Sequence, residues 1–329
     1  MAAPDTTLLV ASSGGHLAQL HRLHTRLPDV GEHRTWVTFD TEQSRSLLAG
    51  EDVRFVEHIT ARDIRRALAA VPPASRLVRR DRIALVVSTG AAVALPFLAM
   101  ASARRVPAMY IESATRTAGP SLTARLLRPL PGIEFYTQSE SWATRTWHYG
   151  GSVFDNYELE RIEAQPLHRV VVTLGGHEAF GFRRLVERLI AILPGGAEVL
   201  WQTGSTDVQD LPIAARAALP AAELRAAMSA ADVVVGHAGV GTVLDALDQG
   251  KRPVIVPRDP AHGEHVDGHQ LDLAADLARR GIVHATSIER LSLADLEESA
   301  GYRVTRSAAP PPFVSNKRPD PAVRRRFRR

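Results

Sequence analysis

Residues 231–247 read ADVVVGHAGVGTVLDAL and join a run of β-branched residues to a glycine-containing turn and a helical pattern. Asp232–Gly236 predicts a buried strand, and Val240–Gln249 has the apolar spacing of a helix. Glycines in such a turn let the backbone approach a ligand, and the first amides of the following helix suit an anion. The stretch therefore predicts a strand, turn and helix unit with an anion site at the turn.

The same arrangement occurs at two other places in the chain. Thr7–Ala11 (TLLVA) is a predicted strand followed by the turn 12–16 (SSGGH), and Arg169–Leu174 (RVVVTL) is followed by Gly175-Gly176-His177. A tight turn explains any one of these glycine pairs without a ligand. Three turns, each with a histidine attached, favour ligand sites at the ends of the strands. None of them has the GxGxxG spacing of dinucleotide-binding oxidoreductases.

Predicted strands and helices alternate along the chain, which is typical of parallel sheets with helical crossovers. The pattern restarts after Tyr149. Further predicted strands are 34–39, 52–56, 83–88, 108–111, 198–202 and 253–257, and predicted helices are 17–26, 182–193, 219–228 and 267–280. We predict an α/β fold of two doubly wound, Rossmann-like domains facing a cleft, at 1–154 and 155–307, and a disordered, basic, Pro- and Arg-rich tail at 308–329.

The chain has 329 residues, a formal net charge of +4 and no cysteine. From Ser315 onward it carries seven basic residues against Asp320, whereas residues 1–154 have a net charge of +5 and residues 155–314 one of −7. The positive net charge of the chain thus comes from the tail. Because the rest of the chain is not basic overall, nucleic acid is not the expected partner. Without cysteine, a disulfide framework and a Cys-based zinc site are excluded. The first residues lack the features of a secretory signal, which favours a cytoplasmic location.

Residues 83–103 contain no charged side chain, and their length alone would span a bilayer. The interruptions at 88–90 and at Pro96 favour instead a buried strand followed by an apolar helix. That helix, from about Ala91 to Arg104, is expected to dip into a membrane surface.

The polar groups of the last glycine turn and the residues after it fit a nucleotide sugar. Backbone amides of the turn can surround a phosphate, with the Thr242 hydroxyl and His237 as added donors. Asp245 lies one turn further along, where a carboxylate suits the diol of a ribose. Residues 258–270 (RDPAHGEHVDGHQ) are dense in groups that can hydrogen-bond sugar hydroxyls. The amides concerned are those of Gly239, Val240, Gly241 and Thr242.

These segments resemble known families. The second half is similar to the C-terminal domain of the MurG-type glycosyltransferases and to the Alg13-type subunit of exopolysaccharide transferases, through VVTLGGHEAFGFRRLVERL (171–189), VLWQTG (199–204), ADVVVGHAGVGTVLDAL (231–247) and KRPVIVPRDPAHGEHVDGHQLDLAADL (251–277). The first half resembles the Alg14-type subunit, through LLVASSGGHLAQL (8–20), VVSTGAAVALPFLA (86–99), YIESATRTAGPSLTARLL (110–127) and YGGSVFD (149–155). The resemblance covers about residues 7–300.

The resemblance implies a GT-B fold and an inverting, metal-independent transfer of a sugar from a UDP-sugar to a polyprenyl-diphosphate-linked acceptor in polysaccharide or cell-envelope glycan synthesis. The transferred sugar would be GlcNAc, glucuronic acid or a similar one, and no cofactor is expected. The first domain would face the acceptor and the membrane surface, and the second would bind the donor. The protein would lie at the inner face of the cell membrane, with a homodimer left open.

The resemblance also assigns residues to the donor. His237 and the amides of 239–242 fall where the family holds the diphosphate, and Asp245 falls where related transferases have a ribose-binding glutamate. His269 and Gln270 match the pair that contacts the donor sugar. The other predicted nucleotide-sugar residues are Gly175, Gly176, His177, Thr203, Gly204, Arg258, Glu264, His265 and Asp267.

An inverting transfer needs a base for the acceptor hydroxyl and stabilisation of the leaving diphosphate. His16 matches the histidine of the family's first glycine loop, and we predict that it is the base or a ligand of the acceptor diphosphate. Glu112, directly after the 108–111 strand, is the rival base. Glu112 could instead pair with Arg116, and His16 could only shape its loop. The predicted acceptor-side loop residues are Ser12, Ser13, Gly14 and Gly15.

Some alternatives stay open. The histidines and the aspartate of 262–269 could be read as a metal site, although their side chains need not converge and no metal is predicted. His177 and Glu178 could touch the diphosphate or only cap a helix. Other functions that the residues allow are a non-catalytic, donor-binding or membrane-recruiting subunit of a transferase complex and a sugar-nucleotide epimerase of the same fold.

Overall fold

The computed structural model describes residues 6–59, 66, 69–79, 81–163, 166–175, 180–265 and 268–313. The chain divides into two compact units. The first is Met1–Asp155 together with Pro311–Arg329, and the second is Asn156–Pro310.

The first unit is built on a parallel sheet of seven described strands in the order β3-β2-β1-β4-β5-β6-β7. Because β1 and β4 are neighbours from which the strand order runs outward in both directions, a crevice is expected at their carboxyl ends. The strands are β1 (Thr6–Val10), β2 (Arg34–Phe39), β3 (Val53–Val56), β4 (Ile83–Ser88), β5 (Ala108–Ile111), β6 (Ile133–Thr137) and β7 (Trp147–Tyr149). The helices are α1 (Gly15–Leu23), α2 (Glu42–Leu47), α3 (Val71–Leu77), α4 (Ala94–Ala103) and α5 (Leu122–Leu127).

The uncharged stretch 83–103 forms β4 and α4, as the interruptions in its sequence predict. Phe97 and Leu98 of α4 are fully buried and belong to the same core cluster as Leu8 and Val10 of β1. Most apolar side chains of α4 are thus covered by the sheet and by neighbouring helices, so this helix leaves little apolar surface for the expected membrane contact. No helix within the described ranges is long and apolar enough to cross a bilayer.

The second unit has a parallel sheet of six described strands in the order β11-β10-β9-β12-β13-β14 and a separate antiparallel pair, β8 with β15. In the parallel sheet, the strand order reverses between β9 and β12. The strands are β8 (Tyr157–Arg161), β9 (Arg169–Thr173), β10 (Glu198–Gln202), β11 (Ala215–Arg216), β12 (Val233–His237), β13 (Val254–Val256), β14 (His284–Ala285) and β15 (Tyr302–Arg306). The helices are α6 (Arg183–Ile192), α7 (Ala221–Ala230), α8 (Val240–Asp248), α9 (His269–Arg279) and α10 (Leu293–Ala300).

The two parallel sheets with helical crossovers confirm the predicted α/β fold class. Strands β9 and β12 are buried β-branched runs, of which Val170, Val172, Val233 and Val235 are almost inaccessible to solvent. Such runs are typical of strands covered by helices on both faces.

Residues 308–313 differ from the expectation of disorder. The Phe313 side chain is fully buried, and its amide donates to the Arg26 carbonyl at 2.9 Å. The Arg26 guanidinium donates through Nε to the Pro311 carbonyl at 2.8 Å. The Phe313 ring lies over Gly150, where a Cβ would overlap it. Of the predicted tail, residues 311–313 are thus part of the first unit, and the remainder after 313 lies outside the described residues.

We predict that Phe313→Ala lowers the free energy of unfolding by about 3 kcal/mol, because a fully buried ring is lost and a cavity remains. Phe55→Ala is the control, since Phe55 is 44% exposed and its removal should change the unfolding free energy by less than about 1 kcal/mol. Urea titration followed by tryptophan fluorescence measures both. Equal losses in the two variants would contradict the burial of Phe313.

Candidate active site

Helix α8 of the second unit begins directly after Gly239 and has no side-chain cap. The Gly239 amide donates to the His237 carbonyl at 2.8 Å, so it is not available to a phosphate, contrary to the expectation. The next three amides, of Val240, Gly241 and Thr242, belong to the first turn, where an α-helix offers them no acceptor. Together with the positive end of the helix dipole they suit a diphosphate.

The imidazole of His237 is packed against two glycines. A Cβ on Gly175, whose φ is +73°, would lie 2.7 Å from His237 Cε1, and a Cβ on Gly239 would overlap the ring. The end of β12, the turn after β9 and the start of α8 are therefore fitted around one side chain. This packing explains physically why both turns carry glycine.

Gln202 holds the Gly175 turn and was not identified from the sequence. Its Oε1 accepts from Thr173 Oγ1 at 2.6 Å, and its Nε2 donates to the carbonyls of Gly175 at 3.2 Å and Ala217 at 3.0 Å. Thr203 and Gly204 were predicted to bind the nucleotide sugar, and their backbone amides donate to the carbonyls of Arg216 and Ala217. Those two amides are therefore not available to a ligand.

The side chains of Arg258 and Glu264 hydrogen-bond to other groups of the protein. The buried Arg258 guanidinium donates to the Leu174 carbonyl at 2.8 Å and to the Phe180 carbonyl at 2.7 Å, and burial lowers its pKa. Glu264, also buried, accepts from Arg184 at 3.2 Å and from the Asp259 amide at 3.0 Å. Both residues, predicted to contact the donor, act in this structure by holding the backbone on either side of the Gly175 turn and the loop after β13.

The remaining donor residues lie at the carboxyl ends of the same strands. Asp245 is half-buried on α8, one turn after Thr242. His269 begins α9, and the adjacent Gln270 accepts from the Arg258 amide through Oε1 at 3.1 Å. The His265 ring lies 5.7 Å from the ring of Phe180. The predicted residues Gly176, His177, Glu178 and Asp267 lie outside the described residues.

His16 lies in the first unit, in the first turn of α1 after the loop of Ser12, Ser13, Gly14 and Gly15. Its Nδ1 is 2.7 Å from the Thr89 carbonyl, and because a carbonyl only accepts, Nδ1 carries the hydrogen. Burial, with a smaller contribution from the Arg116 charge, lowers the pKa of His16. The neutral ring then presents a lone pair on Nε2, which is what a general base requires.

Glu112 is nearly inaccessible to solvent and its carboxylate has three donors. Oε2 accepts from the Ser121 amide at 2.8 Å, and Oε1 accepts from the Ser113 amide and the Tyr110 hydroxyl, both at 3.2 Å. Burial raises the pKa of Glu112, and Tyr110 and the two serines, not Arg116, are its hydrogen-bond partners. These contacts fasten the loop between β5 and α5 and make Glu112 a weaker candidate for the base than His16.

His16 and the Glu112 cluster are neighbours. A Cβ on Gly90, the second residue after β4, would lie 2.8 Å from the Tyr110 hydroxyl and 3.4 Å from His16 Cε1. The carboxyl ends of β1, β4 and β5 thus bring together the two catalytic candidates that the sequence predicted. Within the described part of the chain, no cluster of three or more histidine or carboxylate side chains is placed to hold a metal ion.

Comparison with known proteins shows similarity to glycosyltransferases. Residues 169–306 match the glycosyltransferase family 28 C-terminal domain. The chain is 29% identical over 236 residues, 63% of each chain, to a UDP-N-acetylglucosamine–N-acetylmuramyl-(pentapeptide) pyrophosphoryl-undecaprenol N-acetylglucosamine transferase of Prosthecochloris aestuarii. It is 43% identical over 58 residues, 18% of this chain and 28% of the other, to the UDP-N-acetylglucosamine transferase subunit ALG13 of Yarrowia lipolytica. The matches span less than two thirds of the length of these two relatives.

Solved structures show the same fold. MurG of Acinetobacter baumannii superposes with a TM-score of 0.57 at 17% identity, over 99% of this chain and 98% of that one. A putative UDP-N-acetylglucosamine 2-epimerase of Listeria monocytogenes gives a TM-score of 0.56 at 11% identity, over 94% and 92%. The chain has the GT-B fold of these structures, and its second half is similar to the family 28 C-terminal domain.

We predict that Gly239→Ala destabilises the second unit by about 1–3 kcal/mol, because the added methyl group overlaps the His237 ring. Gly175→Ala should cost at least as much, since its φ of +73° adds backbone strain. Gly196→Ala is the matched control, because a Cβ there meets open space at an ordinary φ, and it should stay within about 0.5 kcal/mol of wild type. Urea unfolding measures the free energy of unfolding of the three variants. A Gly239→Ala protein as stable as the Gly196→Ala control would contradict the packing of His237 against Gly239.

Proposed function

We propose that the chain moves a sugar from a UDP-sugar to a polyprenyl-diphosphate-linked acceptor, with inversion at the sugar and without a metal ion. The observation that carries the proposal is the open first turn of α8 beside His237, in the segment that matches the family 28 domain. The names of two relatives specify UDP-N-acetylglucosamine, which makes GlcNAc the first donor to test and glucuronic acid the second.

On the donor side, the amides of Val240, Gly241 and Thr242 would hold the diphosphate as it leaves. Preorganised backbone donors stabilise developing negative charge without reorganisation during the reaction. Asp245, one turn along α8, is placed to accept from the ribose hydroxyls. His269 and Gln270 at the start of α9 would contact the sugar, and Gln270 is held for this by its bond from the Arg258 amide.

On the acceptor side, His16 Nε2 would take the proton of the attacking hydroxyl. The acceptor oxygen forms a bond to the anomeric carbon while the bond to the UDP oxygen breaks, and the electron pair leaves with UDP. The proton then resides on the imidazole, whose Nδ1–H stays bonded to the Thr89 carbonyl. This carbonyl fixes the tautomer that leaves Nε2 free to act.

The function is tested with purified protein, membranes carrying lipid-linked acceptors, and radiolabelled UDP-GlcNAc or UDP-glucuronic acid. We expect label in the lipid fraction, and a loss of about 10²-fold or more in kcat for His16→Gln, because removing a general base has effects of this size. Because burial lowers the pKa of His16, wild-type transfer should fall on acidification with a midpoint below 6.5, the usual value for histidine.

Other results would overturn the proposal in distinguishable ways. UDP binding without turnover, unaffected by His16→Gln, would identify a non-catalytic donor-binding subunit. Conversion of the UDP-sugar without any acceptor would identify an epimerase, which the shared fold allows. No binding of either UDP-sugar by calorimetry would remove the donor assignment.

For the cytoplasmic face of the membrane we propose α5 as the contact surface, in place of the buried α4. Leu122 and Leu126, four residues apart on one helix face, are 58% and 55% exposed. Arg125 and Arg128 beside them are also exposed. Apolar side chains flanked by arginines suit a bilayer that contains anionic lipid. Ser121, the N-cap of this helix, is bonded to Glu112, so the surface adjoins the acceptor-side cluster.

We predict that the double variant Leu122→Ser/Leu126→Ser binds anionic liposomes at least about tenfold more weakly, because two leucines lose a burial of about 1.5–3 kcal/mol each. Phe55→Ser is the control, since Phe55 is a 44% exposed apolar residue elsewhere in the same unit. This variant should bind the liposomes as tightly as wild type does. Sedimentation with phosphatidylglycerol vesicles measures both. Wild-type binding by the double variant would exclude α5 as the contact surface.

A further inference from the structure

Gln19 lies one turn after His16 on α1 and is buried. Its side-chain amide makes four hydrogen bonds. Nε2 donates to the Gly15 carbonyl and to Ser113 Oγ, both at 3.0 Å, and Oε1 accepts from the Ala114 amide and from Gln138 Nε2, both at 2.8 Å. Every donor and acceptor position of this amide is therefore occupied.

The partners of Gln19 fix which way its amide points. The backbone N–H of Ala114 can only donate, so the atom facing it must be the oxygen, and the carbonyl of Gly15 can only accept, so the atom facing it must be the nitrogen. Both the oxygen and the nitrogen of the Gln19 amide are needed to satisfy these partners. A side chain of the same shape that lacks the nitrogen leaves the Gly15 carbonyl and Ser113 without this donor.

Gln138, at the carboxyl end of β6, extends the network. Its Nε2 also donates to the backbone carbonyl of Glu112 at 3.1 Å, and its Oε1 accepts from the Val153 amide at 2.9 Å. Gln138 is 2% exposed and Gln19 is 1% exposed, so both amides work without competition from solvent. In such surroundings hydrogen bonds are strong and an unsatisfied partner is costly.

This network connects the backbone that carries both catalytic candidates. Gly15 directly precedes His16, while Ser113 and Ala114 directly follow Glu112. Gln19 thus links the turn after β1 to the turn after β5, and Gln138 adds the end of β6. We infer that Gln19 is a positioning residue that holds the His16 turn at a fixed distance from the loop fastened by Glu112. The catalytic importance of Gln19 rests on the proposed function, whereas its role in positioning the His16 turn does not depend on that function.

The test is Gln19→Glu, with Gln43→Glu as the matched control. Glutamate keeps the shape of Gln19 and the oxygen facing Ala114, but an ionised carboxylate cannot donate to Gly15 or Ser113. Among the described residues, Gln43 hydrogen-bonds only through Oε1, which accepts from the Gly14 amide at 2.6 Å, and a carboxylate accepts there equally well. Both variants add one carboxylate next to the same loop, and they differ in whether a required donor is lost.

For Gln19→Glu we expect kcat to fall by at least about tenfold at pH 8 with UDP binding unchanged, because small displacements of a reacting group cost factors of this order. The ratio of its activity to that of wild type should rise on mild acidification, since a protonated carboxyl regains one donor and burial raises the pKa of such a group. The absolute activity of both proteins should fall once His16 is protonated, as His16 must be neutral. Gln43→Glu should stay within about twofold of wild type and keep its pH profile.

A second readout needs no turnover. In protein labelled at histidine, NMR titration should show a higher pKa for His16 in Gln19→Glu and in Gln19→Met than in wild type, because a displaced ring is more hydrated; His16→Gln assigns the signal. An unchanged His16 titration in both Gln19 variants, or an equal loss of kcat in Gln43→Glu, would overturn the inference. A wild type without transferase activity but with the shifted titration would overturn the proposed function and leave the positioning role intact.

Discussion

The packing of His237 between Gly175 and Gly239 is the constraint on which the donor side depends. The imidazole occupies the space that side chains at either glycine would need, so the turn after β9 and the start of α8 approach each other closely. Gln202 and Arg258 hold the same turn from outside through backbone carbonyls. The result is a helix start whose amides are held in place before any ligand arrives, which is the condition for effective electrostatic stabilisation.

Each unit has a histidine with distinct surroundings, His237 at the end of β12 and His16 in the first turn of α1. His237 is a packing element whose ring shapes the backbone around it. His16 is oriented by a hydrogen bond to the Thr89 carbonyl, and burial lowers its pKa. The neutral ring therefore has a lone pair on Nε2, the atom proposed to act as the base. Net charge reports neither feature, because the uncapped amides at the start of α8 are backbone groups in an acidic unit.

Local patterns predicted much of this architecture and part of the site. The buried runs of β1, β4, β9 and β12 and the glycine turns after β1, β9 and β12 are recognisable because strand, turn and helix are adjacent in sequence. Gln19, Gln138 and Gln202 were not, because their partners lie up to 119 residues away and a glutamine in a helix or strand carries no signal of such contacts. Phe313 was missed because the prolines around it suggest disorder. The burial of α4 was not predicted, because a helix that is apolar all round does not show which partner covers it.

Amide signals measured with UDP test the central claim most directly. In isotopically labelled protein titrated with UDP, the account predicts that the amides of Val240, Gly241 and Thr242 shift and exchange more slowly with solvent, while the Gly239 amide, already bonded to the His237 carbonyl, keeps its slow exchange. UDP binding that leaves those three amides unchanged would contradict the account.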